Sequence, residues 1–386
     1  MSPDQPPATT PCPACDTGVS HAPLYRQHGL PVQSCLMPAS AEEAGKIARR
    51  DLELLQCPEC GLVFNRHFDP STQIFSPGYE ETQGFSPTFR RFAQDLAKQL
   101  EQRWSLNGKT VVEVGCGKGE FLALLCEHGQ CHGIGIDPAH DPRRRPESAS
   151  KRVVYEQRYF DRGDIGLKAD YLVCRHTLEH IGPVGEFLAT VHEVCQAGGI
   201  REVFFEVPEA ARIFDEGAFW DIYYEHTNYF DPTALEQAFA RSGFVTTGIE
   251  WLFDDQYLGI YARPVTDPPD APPAPRIFSG QGLDNTTRQW TERIDQADGQ
   301  VVIWGSGSKG VAFLHAVDPQ GRVTAAVDIN PYRQGRFMPG TGQPIIAPEN
   351  LKSLQPALVI IMNPIYREEI SAMLDDLGLS PDIACV

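Results

Sequence analysis

A glycine-rich turn is the feature of this sequence most typical of ligand binding. The run Glu113-Val-Gly-Cys-Gly-Lys-Gly119 follows a β-branched stretch and precedes an apolar helical one, which is the setting that a nucleotide-binding loop requires. Glycine lets the backbone approach a ligand closely, so we expect Glu113, Gly115, Gly117 and Gly119 to line the site. Asp137 ends the next predicted strand about twenty residues later, where a carboxylate accepts hydrogen bonds from ribose hydroxyls. The pattern predicts a nucleoside site.

Two further segments contain side chains that exchange protons. Residues 174–181 include two histidines and a glutamate, and residues 221–230 include tyrosines, a glutamate and a histidine. Both segments follow predicted strands, and the carboxyl ends of parallel strands form the ligand-binding edge of an open α/β sheet. We expect His180 and His226 to take part in acid–base chemistry there, because imidazole titrates near neutral pH. The alternative for His180 is that it only lines the nucleoside site.

Four cysteines near the start of the chain have the spacing of zinc ligands. They form two C-x-x-C pairs about forty residues apart, Cys12 with Cys15 and Cys57 with Cys60. Four thiolates fill a tetrahedral coordination sphere, so the predicted Zn²⁺ is structural. A redox dithiol is the alternative, but it needs only one pair on a βαβ unit. Cys35, between the pairs, is expected to be a bystander.

The elements that position these groups follow from the hydrophobic pattern. Apolar residues at helical spacing predict an amphipathic helix over residues 88–104. The strands and helices predicted after it alternate: strands at 111–114, 133–136, 171–174 and 203–207, and helices at 121–126 and 184–195. Such alternation predicts a parallel sheet covered on both faces. Residues 244–251 and 257–262 predict a hairpin that closes the sheet.

A proline-rich segment divides the chain. Six prolines within residues 264–275 disfavour helix and central strand and predict a stiff linker. After it, residues 301–304, 323–328 and 358–362 predict the strands of a second α/β unit. We therefore predict an α/β protein of three parts: a small zinc-binding module at residues 1–72, a Rossmann-like core at 73–263, and a second Rossmann-like domain at 276–386.

Composition and charge restrict the function classes. Of the 386 residues, 41% are hydrophobic and 22% charged, as in a globular protein. The net charge of −18 repels phosphate backbones and anionic membranes, which disfavours a nucleic-acid partner. The sequence contains no apolar run of membrane-spanning length and its start lacks the features of a signal peptide. We therefore expect a cytoplasmic protein without a membrane partner.

The glycine loop, in its E-x-G-x-G-x-G form, resembles motif I of class I methyltransferases. This resemblance implies that the loop wraps the amino acid end of S-adenosylmethionine and that Asp137 holds the ribose. It also places an adenine contact near Phe160 and Asp161, for which a surface loop is the alternative interpretation. A hairpin at the end of a parallel sheet is likewise typical of the class I methyltransferase fold.

More of the chain resembles the nucleotide-sugar C-methyltransferases, which make branched deoxysugars. The resemblance depends on the cysteine pairs, on the Tyr-x-Glu-His sequence at 223–226, and on three C-terminal strings at 302–310, 327–331 and 338–342. It implies the three-part layout and an active site formed by Tyr223, Glu225, His226, His180 and Tyr79. The cofactor loop departs from the family, in which Asn-Asp is frequent there. A sister family with another small-molecule acceptor is therefore the alternative.

The expected chemistry is methylation of carbon. A C–H bond beside a ketone loses its proton to a base if the enolate oxygen is stabilised. His226, held by Glu225, is the predicted base, while His180, Tyr223 or Tyr79 donates hydrogen bonds to the oxyanion. The carbanion then attacks the sulfonium methyl in line. We therefore predict S-adenosylmethionine-dependent C-methylation of a nucleotide-linked keto-deoxysugar.

The C-terminal glycine loop has three interpretations. Its glycines follow a strand and an acid ends the next strand, a pattern that NAD-binding domains share. The family resemblance implies instead contact with the nucleotide half of the substrate, with Ser308, Lys309 and Arg336 as candidates for the diphosphate. Residues 363–366 are expected to line the same crevice. A purely structural domain is the third possibility.

Two rival functions come from other classes. Zinc knuckles also precede the cores of RNA methyltransferases, but the charge of −18 and the additional C-terminal domain disfavour that function. A scaffold that binds S-adenosylmethionine without turnover is disfavoured because Glu113, Asp137 and the Tyr-x-Glu-His sequence are all present.

Overall fold

The N-terminal part contains two short antiparallel arrangements, each next to a cysteine pair. In the computed structural model, which describes residues 9–76, 78–146, 152–267, 274–318 and 320–386, the first pair lies between β1 (Thr10–Pro11) and β2 (Gly18–Val19). The second arrangement consists of β3 (Tyr25–Pro31), helix α1 (Ala41–Gly45), β4 (Arg49–Gln56) and β5 (Val63–Asn65). The second cysteine pair forms the turn from β4 to β5.

Helix α2 (Pro87–Trp104) connects this part to the central domain and forms where the apolar spacing predicts it. Its start is set by Ser86, whose hydroxyl accepts a hydrogen bond from the Phe89 amide at 3.3 Å. Pro87 follows in the first turn, where the missing N–H costs no hydrogen bond. Among the described residues, neither α2 nor another helix is both long enough and apolar enough to cross a bilayer.

The central domain is a mixed sheet covered by helices. Its strands are β6 (Thr110–Val114), β7 (His132–Ile136), β8 (Val153–Glu156), β9 (Tyr171–Arg175), β10 (Glu202–Pro208), β12 (Phe244–Leu252) and β13 (Tyr257–Pro264). Its helices are α3 (Glu120–Gly129), α4 (Val184–Gly198), α5 (Ala210–Glu216) and α6 (Pro232–Arg241). The strand order is β12-β13-β10-β9-β6-β7-β8, parallel from β10 to β8 and antiparallel at β13. This order and the closing hairpin confirm the predicted class I methyltransferase fold.

The N-terminal sheet is extended by a strand from the central domain. β11 (Asn228–Tyr229) pairs antiparallel with β5, with Asn228 opposite Phe64 and Tyr229 opposite Val63. The resulting order is β11-β5-β4-β3. The segment with the Tyr-x-Glu-His sequence therefore ends inside the N-terminal sheet, and this sheet spans the boundary predicted at residue 72.

The C-terminal domain is a second parallel α/β unit, as predicted. Its elements are α7 (Gln281–Asp295), β14 (Val301–Trp304), α8 (Ser308–Val317), β15 (Val323–Val327), β16 (Ile345–Ile346), α9 (Leu351–Leu354), β17 (Leu358–Ile361), α10 (Arg367–Asp376) and β18 (Asp382–Cys385). The strand order is β16-β15-β14-β17-β18. Of the predicted proline linker, residues 268–273 lie outside the described residues.

One apolar cluster joins all three parts of the chain. It contains Leu52 and Val63 from the N-terminal sheet, Phe219 and Tyr224 from the segment before β11, and Phe313 from α8, and all five are buried. Since burial of apolar surface is the main stabilising contribution to folding, we expect the three parts to unfold together.

Candidate active site

A cavity of about 870 Å³ opens at the carboxyl ends of β6, β9 and β10. Its wall includes Gly115 and Asp137 from the predicted nucleoside site, and His180 and His226 from the two acid–base segments. Ser308, at the start of α8, lines the same cavity from the C-terminal domain. The groups that the sequence singles out in separate segments thus share one chamber.

The geometry of the cofactor loop fits a closely bound nucleoside. Gly115, Gly117 and Gly119 have φ angles of 73°, 53° and 84°, in the left-handed region that favours glycine. A Cβ on Gly115 would lie 1.9 Å from Oγ1 of Thr177, so no side chain fits there. Asp137 stabilises the loop, since its carboxylate accepts hydrogen bonds from the Gly117 amide at 2.8 Å and the Ala139 amide at 2.6 Å. A carboxylate has about four acceptor positions, so capacity for ribose hydroxyls remains.

Glu113 and Phe160 also line the cavity. Glu113 is buried at the end of β6 with Oε2 lacking a hydrogen-bond partner among the described residues, and burial raises the pKa of its carboxyl to about 8. Phe160 packs edge to face on Phe187. Asp161 has a different role, because its side chain accepts a hydrogen bond from the Gly163 amide and caps a helical turn.

The two predicted histidines lie side by side. The rings of His180 and His226 are 4.8 Å apart, edge to face, and Nε2 of His226 lies 2.6 Å from the hydroxyl of Tyr223. His180 donates from Nδ1 to the carbonyl oxygen of Glu225 at 2.9 Å, which leaves its Nε2 without a proton when the ring is neutral. Burial lowers the pKa of His180 to about 4 and that of His226 well below its usual value. Both imidazoles are therefore neutral at pH 7.

Backbone hydrogen bonds join the two acid–base segments. The Thr227 amide donates to the carbonyl oxygen of Glu179 at 2.9 Å. The side-chain amide of Asn228 donates to the backbone carbonyl oxygen of Ile181 at 2.6 Å. Because Asn228 begins β11, its pairing with β5 also fixes the position of His226. The N-terminal sheet thus takes part in building the acid–base cluster.

The structure corrects the predicted role of Glu225. Its carboxylate accepts hydrogen bonds from the amide of Ser34 at 2.7 Å and from the Ser34 hydroxyl, and it also accepts one from Tyr79. The side chain therefore does not hold His226. Adjacent residues of a non-helical segment project in different directions, and Glu225 faces the N-terminal part while His226 faces the cavity.

Glu179 is a site residue that the sequence interpretation did not select. Its side chain is only 2% exposed, and neither carboxylate oxygen has a hydrogen-bond partner among the described residues. Oε1 lies 3.9 Å from Nε2 of His226 and 3.8 Å from Nδ1 of His176. Burial raises the pKa of this carboxyl to about 8. Its place beside His180 in the sequence was visible, but its distance from His226 depends on the fold.

The C-terminal loop contributes a different set of groups from the one predicted. Ser308 and Lys309 line the cavity, but Arg336 is exposed and outside its wall, so that prediction is wrong. Arg333, three residues earlier, lines the cavity instead and forms an ion pair with Asp328 at 3.3 Å. The chain turns between these residues, and only Arg333 faces inward.

Two further predictions concern the same wall. Cys35 lies outside the four-cysteine cluster, as expected, and lines the cavity with its sulfur 3.4 Å from the hydroxyl of Ser308. Asn363 and Tyr366 line the cavity, as expected for the segment at 363–366. Lys309 forms an ion pair with Asp221 at 2.8 Å.

The four N-terminal cysteines have a geometry that fits zinc. The sulfur atoms of Cys12 and Cys60 are 3.6 Å apart, as are those of Cys15 and Cys57, and all four lie within 4.8 Å of one another. Zinc–sulfur bonds of about 2.3 Å in a tetrahedron require sulfur–sulfur distances of about 3.8 Å. The donor set and the spacing therefore suit a closed structural site.

Two family models match the chain: a methyltransferase domain over residues 87–247 and a C-methyltransferase C-terminal domain over residues 282–378. The chain is 23% identical over 361 residues to the C-methyltransferase NovU of Streptomyces niveus, a match that covers 85% of this chain and 84% of NovU. It is 29% identical over 119 residues to a ubiquinone biosynthesis O-methyltransferase of Azorhizobium caulinodans, covering 30% of this chain and 45% of that protein. A solved S-adenosylmethionine-dependent methyltransferase from Aquifex aeolicus aligns with a TM-score of 0.36 and 19% identity, over 51% of this chain and all of the other.

The first family match spans the glycine loop and both acid–base segments. The chain is therefore an S-adenosylmethionine-dependent methyltransferase with the class I fold. The second family match shows that residues 282–378 are similar to the C-terminal domain of C-methyltransferases, and the similarity to NovU extends over 361 residues.

Proposed function

We propose that this enzyme methylates a carbon atom beside the ketone of a nucleotide-linked keto-deoxysugar. The observation that carries the proposal is the shared cavity, in which the cofactor loop, a neutral histidine pair and the C-terminal loop face one another. S-adenosylmethionine, when bound, supplies an electrophilic methyl group on its sulfonium sulfur. The Gly115–Gly119 loop and Asp137 are the residues that would hold it.

His226 is our candidate for the base that removes the proton from carbon. The imidazole is neutral, so Nε2 is able to take a proton. The protonated ring would be a buried cation, which is costly without a nearby negative charge. Glu179 lies 3.9 Å from Nε2 and, as a carboxylate, supplies that charge. Glu179 therefore acts through His226 by stabilising its protonated form.

Tyr223 and Tyr79 are suited to stabilise the enolate oxygen. Burial raises the pKa of both phenols well above 10, so both keep their protons; the hydroxyl of Tyr79 donates to Glu225 in the structure and would have to turn from it to reach the enolate oxygen. In the tautomer that carries its proton on Nδ1, His226 accepts a hydrogen bond at Nε2 from the Tyr223 hydroxyl, 2.6 Å away. Once His226 takes a proton, Nε2–H donates to the Tyr223 oxygen, and the phenolic proton becomes available for the enolate oxygen.

The C-terminal domain is our candidate for binding the nucleotide half of the substrate. Lys309 and Arg333 line the same cavity as the cofactor loop and are paired with Asp221 and Asp328. Their cations are the groups that would contact a diphosphate, with the Ser308 hydroxyl beside them. In the N-terminal module, Cys12, Cys15, Cys57 and Cys60 would hold zinc, which stabilises the fold around β5 and takes no part in methyl transfer.

The proposal is tested with methyl-labelled S-adenosylmethionine and a panel of nucleotide 4-keto-sugars. We expect label on a sugar carbon with the wild type and near-total loss with His226→Ala, while S-adenosylhomocysteine binding is retained. His128→Ala, an exposed position on α3, is the matched control and should turn over normally. Equal turnover by His226→Ala would remove His226 from the mechanism. Label on oxygen or nitrogen, or on none of the sugars, would contradict the proposed acceptor.

A further inference from the structure

Glu81 lies against the cofactor loop in a way that its sequence context does not suggest. It belongs to the segment between the N-terminal sheet and α2, and it lines the cavity. A Cβ placed on Gly117 would lie 2.6 Å from Oε1 of Glu81, so the carboxylate rests directly on the backbone of the second loop glycine. Glycine at this position therefore makes room for a carboxylate as well as for the turn.

The carboxylate of Glu81 lacks a hydrogen-bond donor. Both oxygens are buried, and neither accepts a hydrogen bond from the described residues. The ammonium of Lys118 lies 3.4 Å away, but it donates to the carbonyl oxygens of Tyr79 at 2.8 Å and Ala139 at 3.2 Å. A buried acceptor without a donor is unfavourable. Glu81 therefore has an ion-pair partner in Lys118 but no hydrogen-bond donor among the described residues.

A ligand cation with N–H groups that reaches Gly117 from the cavity would supply hydrogen bonds to these oxygens and add a favourable charge. The methyl donor carries such a group, because the amino acid end of S-adenosylmethionine has an α-ammonium. Asp137, which contacts Gly117 from the other side through the amide, is engaged with the loop and is placed for the ribose. The α-carboxylate of the donor would be repelled by Glu81, which selects the ammonium for this position.

We propose that Glu81 accepts a hydrogen bond from the α-ammonium of the bound methyl donor and thereby recognises its amino acid portion. This inference depends on the methyltransferase activity and is independent of which acceptor is methylated. It also explains the position of Lys118, whose contacts with the Tyr79 carbonyl oxygen and the Glu81 carboxylate hold the Tyr79–Glu81 segment on the loop. Donor binding and the placement of Tyr79 are thereby connected through two residues of the chain.

The test uses three ligands that share the adenosine thioether. S-adenosylhomocysteine has both the ammonium and the carboxylate, its decarboxylated form has only the ammonium, and 5′-methylthioadenosine has neither. Displacement of labelled S-adenosylhomocysteine from the zinc-loaded full chain gives all three dissociation constants. Loss of a charge-assisted hydrogen bond in Glu81→Gln should weaken S-adenosylhomocysteine and its decarboxylated form by about 10- to 100-fold. Binding of 5′-methylthioadenosine should change less than about 2-fold.

Asp95→Asn is the control for removing one negative charge, because Asp95 is exposed on α2. It should leave all three dissociation constants unchanged. Melting curves establish that both variants are folded. An equal loss for all three ligands in Glu81→Gln, or no loss for S-adenosylhomocysteine, would overturn the proposal. A loss for S-adenosylhomocysteine but not for its decarboxylated form would assign Glu81 to the carboxylate end and would also overturn it.

Discussion

Replacing Glu179 by glutamine tests whether a buried carboxylate supports the base. The substitution keeps the shape and, above about pH 8 where Glu179 is ionised, removes the charge that lies 3.9 Å from Nε2 of His226. At this distance, two unit charges in a medium of effective dielectric constant about 20 attract by about 4 kcal/mol, which sets an upper value for the effect. This corresponds to about a 10³-fold change in the protonation equilibrium of His226. We therefore expect kcat to fall by about 10²- to 10³-fold with KM within about 3-fold.

The most direct assay follows the exchange of the substrate C–H with deuterated solvent in the presence of S-adenosylhomocysteine. This exchange reports proton removal without methyl transfer, so the same loss should appear there. Glu186→Gln, at an exposed position on α4, is the matched control and should behave as the wild type. An unchanged exchange rate in Glu179→Gln would refute the reasoning, because the protonated His226 would then need no negative charge beside it.

The pH dependence of the same variant gives a second measurement. Since burial raises the pKa of Glu179 to about 8, its carboxylate forms as the pH rises through 8, and wild-type kcat should rise over that range. Glutamine should abolish this rise. The sign for stability is opposite: the folded state keeps the proton up to about pH 8, whereas an unfolded carboxyl loses it near its usual value. Stability is therefore lost as the pH rises towards 8, and Glu179→Gln should melt at an equal or higher temperature there.

Three other predictions concern the metal, the cofactor loop and the C-terminal loop. Extraction of zinc with a chelator should lower the melting temperature by roughly 10 °C or more and abolish methyl transfer, as melting curves with metal analysis would show. Gly115→Ala should weaken the binding of S-adenosylhomocysteine at least about tenfold in calorimetry, because the added methyl group would clash with Thr177. Gly108→Ala, where the space around the glycine is open, should only lower the free energy of unfolding by about 1 kcal/mol. Lys309→Met should raise KM for the nucleotide-sugar about tenfold, and Arg336→Met should not.

Local pattern was sufficient for much of the fold. Apolar spacing predicts α2, a β-branched run predicts β6, and short apolar runs predict β9 and β10, because each of these elements buries one face or both. The apolar pattern does not predict β8, since only Val153 of its four residues is buried. β11 has two residues, and its partner β5 is far away in sequence, so no local signal indicates that pairing.

The sequence predicts those site residues whose role follows from residue type and spacing alone. The glycine loop and the cysteine pairs belong to this class. Partnerships between distant segments are not predictable from local sequence, and two of them matter here. Glu225 was assigned to its neighbour His226 but is bonded to Ser34, whereas Glu179 was overlooked although it lies beside that histidine. Arg336 was preferred to Arg333, because the direction of a side chain on a turn depends on the tertiary structure.

The pairing of β11 with β5 has a consequence for how such enzymes are shuffled between relatives. The turn with the second cysteine pair immediately precedes β5, and the Tyr-x-Glu-His stretch immediately precedes β11. A chimaera that exchanged only the first seventy or so residues would bring a foreign strand and a foreign equivalent of Ser34 to the active centre. A chimaera that keeps its activity must therefore exchange the N-terminal zinc-binding module and the Tyr-x-Glu-His sequence together, although the two are encoded far apart.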